Sequence, residues 1–217
     1  MTHRPRYLVG TTVYGPPDKA RNLIRSIEAR DPGVDGDIQV VVVNDGSPAH
    51  PGFDLLRDLD QADIQILEDG PLAGSDRFGV DVIDFPENRG VAAGWNAICR
   101  YAWDIGLDWC VILNDDILVA DHWLRAMEVF LDGTPAAGVA GYPLAWFFPE
   151  DVEAILTDPR TAPTRTAEGV LAPLSTIMPI AWQAPGCSGG SFVGAAFAVT
   201  RKAWEAVGGF DEGLKTW

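Results

Sequence analysis

Residues 109–119, WCVILNDDILV, decide how the rest of this chain is interpreted. The first part, Trp109–Leu113, is an apolar run with the length of a buried strand. It ends in Asn114, Asp115 and Asp116, so two adjacent carboxylates follow a core strand directly. In parallel α/β sheets, side chains at the carboxyl ends of strands line the crevice that binds ligands. The stretch therefore predicts an α/β fold with a divalent-cation site at the tip of this strand.

The chain before this strand predicts parallel pairing. Apolar runs at Tyr7–Val13 and residues 38–43 lie on either side of a helical stripe at residues 19–30, where Asp18 can serve as the N-cap. A strand, a helix and a strand in that order form the unit of a parallel sheet. The pattern favours an α/β domain with a mostly parallel central sheet flanked by helices.

The remaining elements are expected from the same signals. In chain order they are a helix at 53–59, strands at 64–67 and 79–85, a helix at 91–105, a helix at 122–131 with Asp121 as its N-cap, strands at 138–142 and 188–200, and a helix at 201–207 closed by Gly208 and Gly209. Residues 144–186 lack a clear period, and they predict an irregular insertion.

Four polar turns each follow a predicted strand, at residues 14–18, 45–47, 87–90 and 114–116. The carboxyl ends of parallel strands lie at one edge of their sheet, where ligands bind. We therefore expect the four turns to converge on a single crevice, and this convergence is a stronger signal than any turn alone.

The charge of the chain limits its partners. It has 16 basic and 31 acidic residues, a formal net charge of −15, which opposes nucleic acid and anionic membranes. Apolar runs such as residues 192–200 are shorter than the roughly 20 residues of a membrane helix, and the N-terminus has no secretory signal pattern. Cys99, Cys110 and Cys187 lack metal or redox spacing. We expect a cytoplasmic protein that binds no nucleic acid and does not insert into membranes.

A phosphorylated ligand of so acidic a chain needs a local cation. Asp116, helped by Asp115, offers the hard oxygen ligands that suit Mg²⁺ or Mn²⁺. Arg89 can add a fixed positive charge that spans phosphate oxygens, and the start of the helix at 91–105 adds free backbone N–H groups. Asp45 offers an acceptor for a base N–H or a ribose hydroxyl.

Each of these features also has a structural interpretation. The two carboxylates can end a strand and cap a helix, the Asp-Gly-Ser at 45–47 is a common turn, and Arg89 alone is a solvated turn residue. Two other enzyme classes find little support. Ser188 and Ser191 have no plausible histidine partner for a serine hydrolase, and no P-loop motif is present.

The succession of motifs closely resembles family 2 glycosyltransferases of the GT-A fold. The matching segments are VVVNDGS, PENRGVAAGWN, LNDD and GAAFAVTRKAWEAVGGFDE, and they cover most of residues 7–213. The resemblance implies a Rossmann-like single domain over residues 1–217, with a nucleotide-binding half at about 1–120 and an acceptor half at about 121–217. It also implies metal-dependent, inverting transfer of a sugar from a nucleotide-diphosphate donor, such as a UDP-sugar, to a hydroxyl group of a glycan or glycoconjugate.

The resemblance also assigns residues. It places Thr11, Val13 and Tyr14 at the nucleobase, Asp45 at the base or ribose, and Asn88, Arg89 and Asn96 along the diphosphate and sugar. Asn114, Asp115 and Asp116 match the DxD position with Asn as first member, so that Asp116 is the principal Mn²⁺ or Mg²⁺ ligand and Asp115 lies near the ribose or sugar. The glycine-rich residues 188–195 form the floor under the sugar and acceptor.

One departure concerns the general base. Family members usually continue after GGFDE with an acidic pair that includes this base, whereas the present sequence ends at Trp217. Asp211 and Glu212 are weak candidates to replace it. We expect either a fragment or a protein without the usual base. The alternatives are a sugar-phosphate nucleotidyltransferase, poorly matched by GTTVYGPPDK, and a nucleotide-sugar-binding module without catalysis.

Overall fold

Among the residues that the structure describes, seven strands form one sheet at the centre of the fold. The computed structural model describes residues 5–30, 32–58, 78–134, 138–141, 157, 180–181 and 195–213. The strands are β1 (Tyr7–Val13), β2 (Ile38–Asp45), β3 (Phe78–Phe85), β4 (Trp109–Leu113), β5 (Val139–Gly141), β6 (Ile180–Ala181) and β7 (Ala196–Thr200). The helices are α1 (Asp18–Ala29), α2 (Pro51–Asp58), α3 (Val91–Asp104), α4 (Trp123–Gly133) and α5 (Arg201–Val207).

The strand order is β3-β2-β1-β4-β7-β5-β6. β3, β2, β1 and β4 are mutually parallel, whereas β7 runs antiparallel to β4 and β5, and β6 runs antiparallel to β5. The predicted mostly parallel α/β sheet is confirmed. The carboxyl ends of the first four strands lie at one edge, which is where the four polar turns begin.

Helices cover both faces of the sheet. In the strands other than β6, alternate residues belong to two hydrophobic clusters, one packed against α1 and α4 and the other against α3. In β2, Val40, Val41, Val42 and Val43 are all buried, as expected for a strand covered on both sides. The continuous apolar run of β2 therefore reflects its central place in the sheet.

Two glycines bring α3 close to β1. A Cβ atom at Gly10 would lie 2.2 Å from Cγ2 of Ile98, and one at Gly94 would lie 2.3 Å from Oγ1 of Thr12. Both distances are far below a normal van der Waals contact, so only hydrogen fits at either position. The first turns of α3 are thereby held against the carboxyl half of β1, beside the functional edge.

The predicted element boundaries are largely confirmed, with two corrections at helix starts. Asp121 is not the N-cap of α4, because His122 takes that position with a φ of 61°. Asp18 is the first residue of α1 and makes no capping hydrogen bond from its side chain. At α4, the backbone N–H of Arg125 donates to the carbonyl of Pro32 at 3.0 Å. This bond satisfies a first-turn N–H group that a capping side chain would otherwise bind.

Some predictions fall outside the described residues. These are the strand at 64–67, the first part of the strand at 188–200, and the insertion at 144–186 apart from Thr157 and β6. Within the described part of the chain, no helix has both the length and the apolar character needed to cross a membrane.

A partly buried hydrogen bond ties α4 to the start of β1. The Tyr7 hydroxyl donates to Oε1 of Glu128 at 2.7 Å, and Arg6 and Arg125 pair with the same carboxylate. Burial opposes the ionisation of Glu128, but the hydrogen bonds from Tyr7 and Arg125 and the charges of both arginines outweigh it and lower its pKa. Burial, together with Glu128, raises the pKa of Tyr7 to about 12.

We expect Gly10→Ala to lower the free energy of unfolding by about 1–3 kcal/mol, because the new methyl group overlaps the fully buried Ile98. Urea unfolding followed by circular dichroism measures the change. Gly133→Ala is the matched control, since a Cβ there meets no atom within 4 Å. Equal stabilities for Gly10→Ala and Gly133→Ala would contradict the close packing of α3 on β1.

We expect the stability loss caused by Tyr7→Phe to depend on pH. Since the pKa of Glu128 is lowered on folding, its contribution is present above the ordinary value of about 4.3 and is lost as the pH falls through the folded value. Unfolding experiments should show a loss of about 1–2 kcal/mol at neutral pH that shrinks in acid. In a Glu128→Gln background this pH dependence should disappear, and its persistence there would contradict the assignment.

Candidate functional site

The turn at the end of β2, residues 45–47, holds the loop that leads into α3. Asp45 is fully buried at 0% exposure, and its Oδ1 accepts from the backbone N–H of Arg89 at 2.7 Å. Its Oδ2 accepts from the backbone N–H of Gly90 at 2.9 Å. One carboxylate thus satisfies two amides before the helix, where backbone N–H groups favour an anion.

The next two residues of the β2 turn contact both neighbouring loops. Gly46 has a φ of 66°, and a Cβ atom there would lie 2.2 Å from the backbone carbon of Glu87, so glycine is required. The Ser47 hydroxyl accepts from the N–H of Gly15 at 2.9 Å and donates to the carbonyl of Val13 at 3.4 Å. The β2 turn therefore fixes the loops after β1 and β3 relative to each other.

The tip of β4 presents the two adjacent carboxylates. The N–H of Asn114 donates to the carbonyl of Ala195 at 2.7 Å, which holds this tip to the start of β7. Asp116 is exposed, and its Oδ2 lies 3.9 Å from Nζ of Lys19, in the first turn of α1. Burial and the neighbouring charge of Asp116 raise the pKa of Asp115, while the charge of Lys19 opposes this shift.

This tip fits a hard divalent cation. Two carboxylates that repel each other, one of them partly buried, are stabilised when a cation binds between or beside them. Among the residues that the structure describes, no group of three or more His, Cys, Asp or Glu side chains could hold a metal. Carboxylate oxygens are the donors that Mg²⁺ and Mn²⁺ prefer, and two carboxylates alone would leave the remaining positions of the shell to phosphate oxygens and water.

Arg89 belongs to a second charged group. Its Nη2 lies 2.7 Å from Oε2 of Glu212, and its guanidinium stacks 4.8 Å from the ring centroid of Phe85. Arg100 pairs with the other oxygen of Glu212 at 3.3 Å. The hydrogen bond from Asn96 lowers the pKa of Glu212 most. Burial opposes this shift to a smaller extent, and Arg100 and Arg89 lower the pKa further. A carboxylate held in this way is a weak general base.

Asn96 is a structural amide in this arrangement. Its Nδ2 donates to the carbonyl of Phe210 and to Oε1 of Glu212, both at 2.9 Å. Its Oδ1 accepts from the N–H of Phe210 at 2.8 Å and from Nε1 of Trp204 at 3.1 Å. All four hydrogen-bonding positions are filled by protein. The geometry thus gives Asn96 no free donor or acceptor for a diphosphate, in contrast to the expectation.

The three residues expected at a nucleobase have different environments. Thr11 and Val13 are fully buried, and Oγ1 of Thr11 has no hydrogen-bond partner among the described residues. Tyr14 is 53% exposed at the end of β1. Of the three side chains, only Tyr14 is therefore open to a ligand. Asn88 is also exposed, beside Arg89.

The structure brings together parts that the sequence interpretation kept separate. The sequence interpretation assigns no role to Lys19 or to the ion pair of Glu212 with Arg89, and it places Ser47 in one of the four turns without a role of its own. A signal existed for Lys19, since it opens the helix that follows β1 and so lies at the functional edge. No comparable signal exists for Glu212 and Arg89, which are separated by 123 positions. Residues 188–194 lie outside the described chain, so their predicted role as a floor is not tested.

We expect Asp45→Asn to lower the free energy of unfolding by about 1–3 kcal/mol, because an amide accepts through one oxygen only and turns an NH₂ group toward a backbone N–H. Urea unfolding measures this loss. Asp108→Asn, at an exposed position, removes the same charge and should have little effect. Unchanged stability of Asp45→Asn would show that the two short hydrogen bonds do not hold the loop.

Several solved glycosyltransferases can be superposed on this chain. The solved mannosyltransferase PcManGT from Pyrobaculum calidifontis, in complex with GDP-Man and Mn²⁺, has a TM-score of 0.54 at 22% identity, over 97% of this chain and 49% of that chain. TarS from S. aureus in complex with UDP-GlcNAc gives 0.42 at 17% identity, over 66% and 34% of the two chains. GlyE from Streptococcus pneumoniae TIGR4 gives 0.42 at 11% identity, over 94% and 36%.

The extent of these matches defines what they show. The chain spans about half the length of the mannosyltransferase, whose likeness shows the fold. No curated protein matches the chain. The sequence model described as "Glycosyl transferase family 2" matches residues 9–160, which is more than half of the chain and includes the turns after β1, β2, β3 and β4. The chain therefore belongs to glycosyl transferase family 2 and has the GT-A fold.

Proposed function

We propose that this protein transfers a sugar from a nucleotide-diphosphate donor to a hydroxyl group of a glycan or glycoconjugate, with inversion at the anomeric carbon and with Mn²⁺ or Mg²⁺ as cofactor. The observation that carries the proposal is the convergence of four polar turns at one sheet edge, within a family 2 chain. In this proposal residues 1–217 act as one domain, with the donor on the half at about 1–120 and the acceptor on the remainder.

The donor nucleotide would lie across the turns after β1 and β2. The exposed ring of Tyr14 offers a stacking surface for a base, and the buried Thr11 and Val13 support the strand beneath it. Asp45 has both oxygens bonded to backbone N–H groups, but each oxygen can accept a further hydrogen bond. Because Asp45 is 0% exposed, a ribose hydroxyl or base N–H would reach these oxygens only if the residues that cover the carboxylate moved aside.

The diphosphate would lie between two sources of positive charge. Asp116, with Asp115 beside it, would hold the divalent cation, which when bound stabilises the charge that develops on a diphosphate leaving group. Arg89 and Asn88 are exposed at the other side of the β2 turn. Lys19, whose Nζ lies 3.9 Å from Oδ2 of Asp116, would add a further positive charge for a phosphate oxygen at this tip. These residues bind and orient the donor.

The general base is not assigned to Glu212 or Asp211. Glu212 is bonded to Arg89, Arg100 and Asn96 with its pKa lowered, and Oδ1 of Asp211 accepts from the backbone N–H of Gly213 at 2.9 Å. The engagement of Glu212 also favours a second candidate function, a nucleotide-sugar-binding module that does not catalyse transfer. Donor binding without turnover in acceptor screens would support the module, whereas release of nucleoside diphosphate would support the transferase.

GDP-sugars and UDP-sugars are the first probes. GDP-sugars follow from the fold likeness to a mannosyltransferase solved with GDP-Man and Mn²⁺, and UDP-sugars follow from the family resemblance. Pyrophosphate release from a nucleoside triphosphate and a sugar phosphate would instead indicate a nucleotidyltransferase. A cytoplasmic location stays a prediction.

We expect wild-type protein to bind GDP or UDP more tightly in the presence of Mn²⁺, and Asp116→Asn to lose that metal-dependent gain, because the principal metal ligand is removed. Isothermal titration with and without Mn²⁺ measures both affinities. Asp132→Asn, an exposed carboxylate on α4, removes the same charge and should behave as wild type. A normal Mn²⁺ effect in folded Asp116→Asn would rule out the proposed metal site.

A further inference from the structure

Arg89 is fixed at both ends, although its side chain is 44% exposed. Its backbone N–H is held by Asp45 at 2.7 Å, and its Nη2 is held by Glu212 at 2.7 Å. The stacking on Phe85 limits the guanidinium plane further. Among the described residues, Nη1 and Nε of Arg89 make no hydrogen bond. Two nitrogens of a side chain that is ordinarily mobile therefore keep N–H donors for a ligand.

Glu212 is itself held in place by α3. Asn96 donates a hydrogen bond to Oε1 of Glu212. It also donates to the carbonyl of Phe210, two residues earlier, and accepts from the N–H of Phe210. Gly209 permits this approach, since a Cβ there would lie 2.8 Å from Oδ1 of Asn96. The segment after α5 is thus locked to α3 through one buried amide. Glu212 therefore has a fixed position from which it can orient Arg89.

The charges in this group do not cancel. Two guanidinium groups, Arg89 and Arg100, share the single carboxylate of Glu212, at 2.7 and 3.3 Å. The group defined by Arg89, Asn96, Arg100 and Glu212, here the Glu212 cluster, therefore carries a formal charge of +1 in a protein of net charge −15. Glu212 can hold Arg89 while the cluster as a whole still attracts an anion.

We propose that Glu212 is a positioning residue, which holds the guanidinium of Arg89 so that its free donors face the donor diphosphate. This inference rests on the proposed function, in which Arg89 contacts the diphosphate. In this proposal Glu212, in the GGFDE segment of the last motif, contributes to donor binding through Arg89. A rigid, pre-oriented arginine binds phosphate with a smaller loss of conformational freedom than a mobile one.

The test is a double-mutant cycle on the 217-residue chain, with UDP and GDP as ligands and Mn²⁺ present throughout. We expect Glu212→Gln to raise the Kd for the diphosphate by about three- to tenfold, since one rotamer-rich side chain is no longer held. The Kd for uridine and guanosine, which lack phosphate, should not change. In an Arg89→Met background, Glu212→Gln should have no further effect, because the residue that it positions is absent.

Glu205→Gln is the matched control. Glu205 also pairs with an arginine, Nε of Arg201 at 2.7 Å, but within α5 and away from Arg89. It should leave every Kd unchanged. If Glu212→Gln does not fold, Glu212→Asp keeps the charge but shortens the side chain, and it should weaken diphosphate binding in the same selective way.

Three results would overturn the inference: an unchanged Kd for UDP and GDP in Glu212→Gln, tighter binding, which would make Glu212 a competitor of phosphate, or an equal loss in the Arg89→Met background. A purely structural role would weaken nucleoside and nucleotide binding alike, and it would persist in that background. Failure of wild-type protein to bind either nucleotide with Mn²⁺ is a different result, because it contradicts the proposed function itself.

Discussion

The hydrogen bonds from the backbone of Arg89 and Gly90 to the carboxylate of Asp45 are the interaction on which the functional edge depends. They place a buried negative charge where α3 begins, so the first amides of this region are satisfied by protein before any ligand arrives. The same turn carries Gly46, which allows direct backbone contact with the β3–α3 loop, and Ser47, which holds the β1–α1 loop. Three loops therefore share one fixed support, and a ligand that contacts any of them meets a surface that is already ordered.

Positively charged side chains are grouped at the functional edge of this acidic protein. A chain with nearly twice as many acidic as basic residues repels phosphate at long range, so binding must rely on local cations. The described residues provide two groups of them at the functional edge. One is Lys19 beside Asp116, where a divalent cation would add further positive charge, and the other is the Glu212 cluster with two arginines for one carboxylate. Positive charge is thus concentrated where the proposed diphosphate would lie, although the protein as a whole is acidic.

Close packing of α3 links this edge to the remainder of the fold. Gly10 and Gly94 let the helix approach β1 to a distance that no larger residue permits, and Asn96, half a turn farther along, bonds the segment after α5. Consequently α3 contacts β1 through one face and the last motif through another. Aromatic contacts among Trp95, Phe197 and Phe210 reinforce the second contact. α3 therefore begins at the proposed donor site and also supports the segment that carries Glu212.

The amino-acid sequence alone was sufficient for the α/β class, most of the strands and helices, the family, and the tip at Asp115 and Asp116, because apolar runs and the residues that end them are local properties of the chain. It was not sufficient for the roles of individual polar side chains. The motif resemblance predicts ligand contacts for Asp45 and Asn96, and it does not reveal that Asp45 also holds the β3–α3 loop or that Asn96 fills its four hydrogen-bonding positions with protein. Glu212 is only a weak candidate for the general base on sequence grounds, and its ion pair with Arg89, 123 positions away, is visible only in the fold. The role of such a side chain depends on its burial and on its hydrogen-bond partners. Both are set by contacts between residues far apart in the chain, so no short stretch of sequence encodes them.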